Sequence, residues 1–247
     1  MRTHGTFGYI IGKKKRMIYV ENDADLLWQI LVREIYVLMK HYNTKEALQE
    51  AFETIQPIKI KTKPKPKQEV IEKCRVFTDF EEDKINHSID EWNSILRYCQ
   101  SSYINILEAG YIINQTIEIG DVFMLDFNKC IVTFYNKDVA GKTKELKTAT
   151  LEEIMDFDIM PTKSYTEIVT EMNTQFKEFY EKYVTVQEEI DKINVIISQA
   201  KNQCSYNIQE KAKKLLDEMV WERKKLIKGR RVFYTRLKAL DLIDETN

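Results

Sequence analysis

The strongest regularity in the chain lies in its final third. From Tyr165 onward, apolar residues recur at alternating steps of four and three: Tyr165, Val169, Met172, Phe176, Phe179, Tyr183, Val186, Ile190, Ile193, Ile197, Ala200 and Cys204. Glu, Lys, Asp and Gln fill neighbouring positions. The spacing predicts one helix of about 35–40 residues, roughly 50–60 Å long at 1.5 Å per residue, whose apolar stripe must meet another helix. The stripe is rich in aromatic side chains, which suits packing against a broader surface better than a two-stranded zipper. A polar break near Cys204–Asn207 predicts a chain reversal. A second helix then carries Ile208, Ala212, Leu215, Met219, Leu226, Phe233 and Leu240. It is less regular, because Glu222, Gly229 and Arg236 fall on its seam, and Gly229 is placed to bend or end it. An antiparallel hairpin is the first choice and one continuous helix the alternative.

Upstream the pattern is mixed. Residues 1–20 read as irregular or short-strand structure around Gly5, Gly8 and Gly12. A helix is expected from Asn22 or Asp23 to about His41, its apolar face running through Leu27, Trp28, Leu31, Ile35 and Leu38. Thr44 should cap a short helix with Leu48, Phe52 and Ile55 inside, ended by Pro57. Lysines alternate with Ile, Thr and Pro from Pro57 to Lys67, which predicts an extended linker. Residues 68–113 look helical, broken by an acidic loop at 79–83. Asn86 or Ser88 should cap a helix through Trp92, Ile95, Leu96 and Cys99. The runs Thr116–Ile119, Val122–Phe127 and Cys130–Tyr135 are β-branched and aromatic, with a turn at Asn128-Lys129, and predict a hairpin or three-stranded sheet. A short helix is expected at Leu151–Phe157.

The predicted class is therefore mainly α (α+β): a helical domain with a small antiparallel β insertion and a long C-terminal helical hairpin or coiled-coil arm. The expected organisation is an N-terminal helical region at 1–56, the linker at 57–67, a helical region with the β insertion at 68–160 and the arm at 161–247.

Composition supports this. Hydrophobic residues make up 43% of 247, enough for a substantial core, and seven glycines and four prolines are too few for a sandwich or a many-turned α/β enzyme. Net charge is −1, unevenly spread: residues 1–67 and 161–247 are basic and residues 68–160 acidic. That arrangement favours pairing with further copies, or a local polyanion contact, over general nucleic-acid binding. Four scattered cysteines without a C-x-x-C pair fit a reducing compartment. No signal peptide is evident, and the greasiest stretch, Leu26–Met39, is too short and too charged to span a bilayer.

Catalytic constellations fail on inspection. Gly141-Lys142-Thr143 lacks the upstream glycine of a phosphate-binding loop, which would fall at Asn136. Gly8–Lys14 has the wrong glycine spacing. His4, His41 and His87 form no metal-ligand pair, and His41 reads more simply as a helix-dipole partner. Adjacent carboxylates at 81–83 and 152–158 read as solvated charge. No metal, cofactor or enzymatic activity is expected. The acid-free basic run from Arg223 to Lys238 is the sharpest candidate contact. Lys224, Lys225, Lys228, Arg230 and Arg231 would meet nucleic-acid phosphates, against the plainer reading of a solvated helix face.

The stretch Phe7-Gly8-Tyr9-Ile10-Ile11-Gly12-Lys13-Lys14-Lys15-Arg16, with Asp25-Leu26-Leu27-Trp28-Gln29-Ile30-Leu31, resembles proteins of crAss-like, short-tailed bacteriophages. The overall plan is similar to the ring or adaptor (head–tail connector) proteins stacked between portal and tail. The resemblance implies a virion protein made in the host cytoplasm. It also implies a cyclic homo-oligomer, twelve copies in the usual portal-matched ring, touching portal and tail proteins around a DNA channel. On that expectation Val169, Met172, Phe176, Phe179, Tyr183, Val186, Ile190, Ile193 and Ile197 form the oligomer or partner interface. The leading functional expectation is thus a structural ring subunit, and the alternative is a nucleic-acid-binding accessory protein.

Overall fold

A computed structural model describes residues 3–20, 23–58, 65–80, 91–115, 118, 120–158, 160–203 and 205–243. The expected caps Asn22, Asn86 and Ser88, most of the strand at 116–119, and His87 lie outside these residues.

The centre of the head is a five-stranded mixed sheet. Strands β1 (Gly5–Ile11) and β2 (Lys14–Val20) form an antiparallel hairpin, and β1 then pairs in parallel with β5 (Gly120–Asp126). The antiparallel neighbours β6 (Ile131–Lys137) and β7 (Thr143–Thr150) complete the order β2-β1-β5-β6-β7. The small antiparallel insertion expected from the sequence is corrected to this larger sheet, into which the first twenty residues supply two strands. The N-terminal strands are weakly patterned because β1 is buried along nearly its whole length. Both of its faces are covered, so alternation disappears. Gly8 belongs there because a Cβ would collide with the Arg16 carbonyl on the neighbouring strand. β7 is missed for the opposite reason. It is an exposed edge whose lysines guard against further pairing.

Helices α1 (Leu27–Tyr42) and α2 (Lys45–Glu53) cover one face of the sheet, with α2 capped by Thr44, whose hydroxyl accepts from Ala47 N at 3.1 Å. The strand β3 (Gln56–Ile58) follows, then α3 (Gln68–Val76), α4 (Trp92–Cys99), α5 (Tyr103–Ala109) and the strand β4 (Tyr111–Ile113), which pairs in parallel with β3. These pairings correct the expected domain boundary. The central sheet joins β1 to β5, and a separate two-stranded sheet joins β3 to β4, so the regions 1–56 and 68–160 share one core. Phe7, Tyr9 and Phe123 from the sheet, Leu31 and Ile35 from α1, Phe52 from α2 and Tyr103 from α5 meet there. Tyr103 is wedged between Phe7 and Phe52 at 5.3 and 5.4 Å between ring centroids, and its hydroxyl donates to the Gly8 carbonyl at 2.5 Å. Each such side chain contributes about 1.5–3 kcal/mol by leaving water.

On the other face of the sheet Met17, Val122 and Met124 form a smaller cluster. Asn114 and Gln115 bond the backbone of Met17, each at 2.9 Å, and Glu118 bridges Lys15 of β2 and Lys137 of β6. Burial works to raise the Glu118 carboxyl, but hydrogen bonds from Lys137 and Lys15 outweigh it and hold the group below the usual range.

After β7 come α6 (Leu151–Met155), capped reciprocally by Thr150 and Glu153, then α7 (Tyr165–Asn202), α8 (Tyr206–Gly229) and α9 (Val232–Ala239). The last of these returns to the head and closes on a buried charge. Glu34 of α1 has no exposed surface. Its carboxylate accepts from the first backbone N–H of α5, Tyr103 N, at 2.9 Å, and lies 3.8 Å from the Arg236 guanidinium of α9. Arg236 also donates to Ser101 Oγ at 3.0 Å. Burial raises the Glu34 carboxyl, and Arg236 and the α5 N-terminus oppose that rise.

Removing either partner strands the other charge in the core. Glu34→Ala and Arg236→Ala should each lose about 3–5 kcal/mol in urea unfolding, whereas the pair Glu34→Leu/Arg236→Leu should lose clearly less than the sum. The raised Glu34 binds its proton more tightly folded than unfolded. Its contribution is complete below the unfolded value of about 4.3 and is lost as pH rises through the folded value. The wild type should therefore gain stability relative to Glu34→Gln as pH falls, checked by denaturation at several pH values.

Candidate functional site

The C-terminal arm holds the two longest helices among the described residues. α7 spans 38 residues, about 57 Å at helical rise. No glycine or proline interrupts it, and a capping box starts it: Ser164 N donates to Glu167 at 2.7 Å while Glu167 N donates to Ser164 Oγ at 3.3 Å. α8 runs back antiparallel, ended at Gly229 as the sequence suggested. Gln209 reaches the Ala200 carbonyl, Arg223 reaches Gln187, and Thr235 of α9 reaches Gln175. In each pair the residue numbers add to 409 or 410, so one register runs the length of the arm.

The nine seam positions, expected to form an oligomer or partner interface with a mate in the same fold or on another copy both open, lie here against their own chain. Met172, Phe179, Tyr183, Ile190, Ile193 and Ile197 are buried, and Val169, Phe176 and Val186 are half-buried, within a single chain. Near the head, Val169 reaches the sheet core, Met172 joins Ile71 and Leu96 of α3 and α4, and Phe179 and Tyr183 pack with Phe80 and Ile227. Further out, Ile193 and Ile197 meet Ala212, Leu216 and Met219 of α8. The intrachain mate has a simple cause. The reversal after Asn202 holds α8 at a high effective concentration beside the stripe, so the tethered helix occupies it first.

The basic run divides as sharply. Arg230 turns inward: it donates to three carbonyls at the C-terminus of α3, Val76 at 2.7 Å, Arg75 at 3.2 Å and Thr78 at 3.3 Å. Its guanidinium sits 4.8–5.0 Å from the ring centroids of Phe176, Phe179 and Phe80. Burial lowers its pKa to about 10, with Asp79 opposing, so it stays charged at neutral pH. Arg230 is thus a helix cap and an aromatic-cage cation rather than a phosphate contact. Arg223 and Arg236 are likewise engaged inside. Lys224, Lys225, Lys228 and Arg231 are exposed. Lys225 lies over the Trp221 ring and 3.3 Å from Glu222, and Arg231 lies over Tyr234. The signal for the inward arginines was available in the spacing, since Arg223 and Arg230 stand seven residues apart on the side of α8 that faces α7.

The remaining candidates serve structure. Gly141-Lys142-Thr143 forms the turn into β7, where Asp138 accepts from Gly141 N and Lys142 N. His41 stacks on Tyr165 in the last turn of α1. Cys74 and Cys99 come together in the core, where a hydrogen bond between them and burial push the Cys74 thiol up and keep it unreactive. Among the described residues no group of three or more His, Cys, Asp or Glu side chains is placed to hold a metal ion, and no helix is long and apolar enough to cross a membrane. A cleft of about 520 Å³ lies between β2, α1, α4 and α9, floored by Ile18, Leu27, Ile30 and Phe233. Two of its polar side chains are committed to backbone: Asp79 accepts from Phe233 N, and the Gln100 amide bonds Tyr111 and Ile113. Comparison with family models, curated proteins and solved structures finds no match.

Arg230→Ala should cost about 2–4 kcal/mol by taking the donor from the Val76 and Thr78 carbonyls and breaking the aromatic cage, while leaving any DNA affinity unchanged. Lys224→Glu with Lys228→Glu and Arg231→Glu should do the reverse. Chemical denaturation and salt-dependent DNA titration separate the two outcomes.

Proposed function

We propose that this chain is a non-catalytic structural subunit of a multi-copy assembly, its head serving as the body of each subunit and its arm as the contact element. The observation that carries this reading is the distal arm. Among the described residues, the buried apolar cluster beyond Tyr183 is made of α7 and α8, a two-helix stretch of about 30 Å past the described part of the head. Among the described residues, six of the ten large exposed hydrophobic side chains fall on it: Val195, Ile196, Tyr206, Ile208, Leu215 and Trp221. Apolar side chains concentrated on an element that lies beyond the core of the head support its reading as a contact element.

A cyclic assembly of the connector type fits this plan. Heterologous contacts between neighbouring copies close a ring, and the uneven charge of the chain favours an ordered docking direction. In a virion such a ring would sit between portal and tail proteins, and the exposed Lys224, Lys228 and Arg231 are the cations it would offer to passing DNA. The phage setting rests on the N-terminal resemblance, and the assembly role on the arm.

The test is excision of the distal arm. Gln187 and Arg223 touch across the hairpin, so a short Gly/Ser loop can replace residues 188–222. The full chain should sediment above monomer mass, and the shortened chain should melt as the same head but sediment as a monomer. A strictly monomeric full chain overturns the proposal, and a shortened chain that still assembles removes the arm from it.

A further inference from the structure

We infer that the tip of the arm is a self-association surface, on which the tips of neighbouring copies pack flank to flank. This rests on the arm being the contact element and names its partner as the same tip of a second copy.

The first observation is a gap in charge. Between Lys192 and Glu210 the seventeen intervening residues include one charged side chain, Lys201, and six amides: Asn194, Gln199, Asn202, Gln203, Asn207 and Gln209. The flanking segments are dense in charge, with Glu188, Glu189, Asp191 and Lys192 on one side and Glu210, Lys211, Lys213 and Lys214 on the other. A partner of different sequence is recognised by complementary charges. An identical partner brings residues of equal height together around the symmetry axis, where like charges oppose each other. A tip almost empty of charge meets that requirement, and amide side chains both donate and accept, so they can bond to copies of themselves.

The second observation is where the exposed apolar side chains point. The hairpin register, with numbers adding to about 410, sets Ile196 level with Leu215. At 100° per residue each lies roughly 60–80° from its helix's seam, in the same rotational sense. In an antiparallel pair, equal rotation from the seam falls on one side of the hairpin. Ile208 falls on that side as well, nearer the tip. All three are close to half-exposed, at 45–47%. Tyr206, 72% exposed, lies on the opposite flank, and Val195 on the back of α7. Apolar residues on both flanks are what a tip with a neighbour on each side needs, as in a closed ring. A lipid surface is disfavoured, because one lysine offers little attraction to anionic headgroups.

The experiment uses the full chain. Sedimentation equilibrium from low micromolar to near-millimolar concentration should show association that added salt leaves unchanged or strengthens. Ile196→Lys with Ile208→Lys should weaken it about a hundred-fold, roughly ten-fold for each side chain, with helicity and Tm unchanged because both positions are already half-exposed. Val139→Lys, on an exposed head turn, is the control and should have no effect. An unchanged mass for the tip variant, or association that salt dissolves, overturns the inference. If excising residues 188–222 abolishes assembly while the tip variant keeps it, the inference falls and the structural role of the arm stands. A monomeric wild type overturns both.

Discussion

A carboxylate sealed from water governs how this molecule is put together. Glu34 sits on α1, caps the N-terminus of α5 and faces Arg236 of α9. An ion in that position is tolerated only while every partner is in place. The head therefore cannot close around α1 and α5 without the return of α9, and α9 cannot return unless the arm has reversed at its tip. Local stretches of chain more than a hundred residues apart are made mutually dependent by one desolvated charge.

The root of the arm repeats this logic with the opposite sign. The Val76 and Thr78 carbonyls at the end of α3 are met by Arg230, which follows α8, its flat cation closed in by three phenylalanines. Two arginines six residues apart thus fix both the position and the angle at which the hairpin leaves the head. Along the arm the chemistry then changes in steps. Aromatic residues pack against the head, aliphatic residues zip the two helices together, and the tip gives up charge for amides and exposed apolar groups. The first two zones serve folding. The third reverses the chain, but it also leaves apolar side chains on its flanks exposed in the isolated subunit, and these carry the functional reading.

Much of this was readable in advance wherever a local period was strong. The long helix, its reversal, its end at Gly229, the Thr44 cap and the paired strands around Asn128 all appear as expected. The weak points were also physical. A strand buried on both faces shows no alternation, and an exposed edge strand shows no hydrophobicity, so β1 and β7 gave little signal. The lysine-rich stretch looked like a boundary because composition reports stiffness and not pairing. The strands on either side of it had already been joined through the sheet.

What the sequence determined by itself is the existence of an apolar ribbon from Tyr165 to Ala200 and the necessity that it be covered, since periodicity and transfer free energy are local properties. What only the tertiary structure decided is the identity of the cover and the direction of each arginine. A seam has the same pattern whether its mate is tethered or foreign, and a guanidinium looks the same in sequence whether it ends in solvent or on a helix terminus. Those choices depend on distances between segments far apart in the chain, and folding alone sets them.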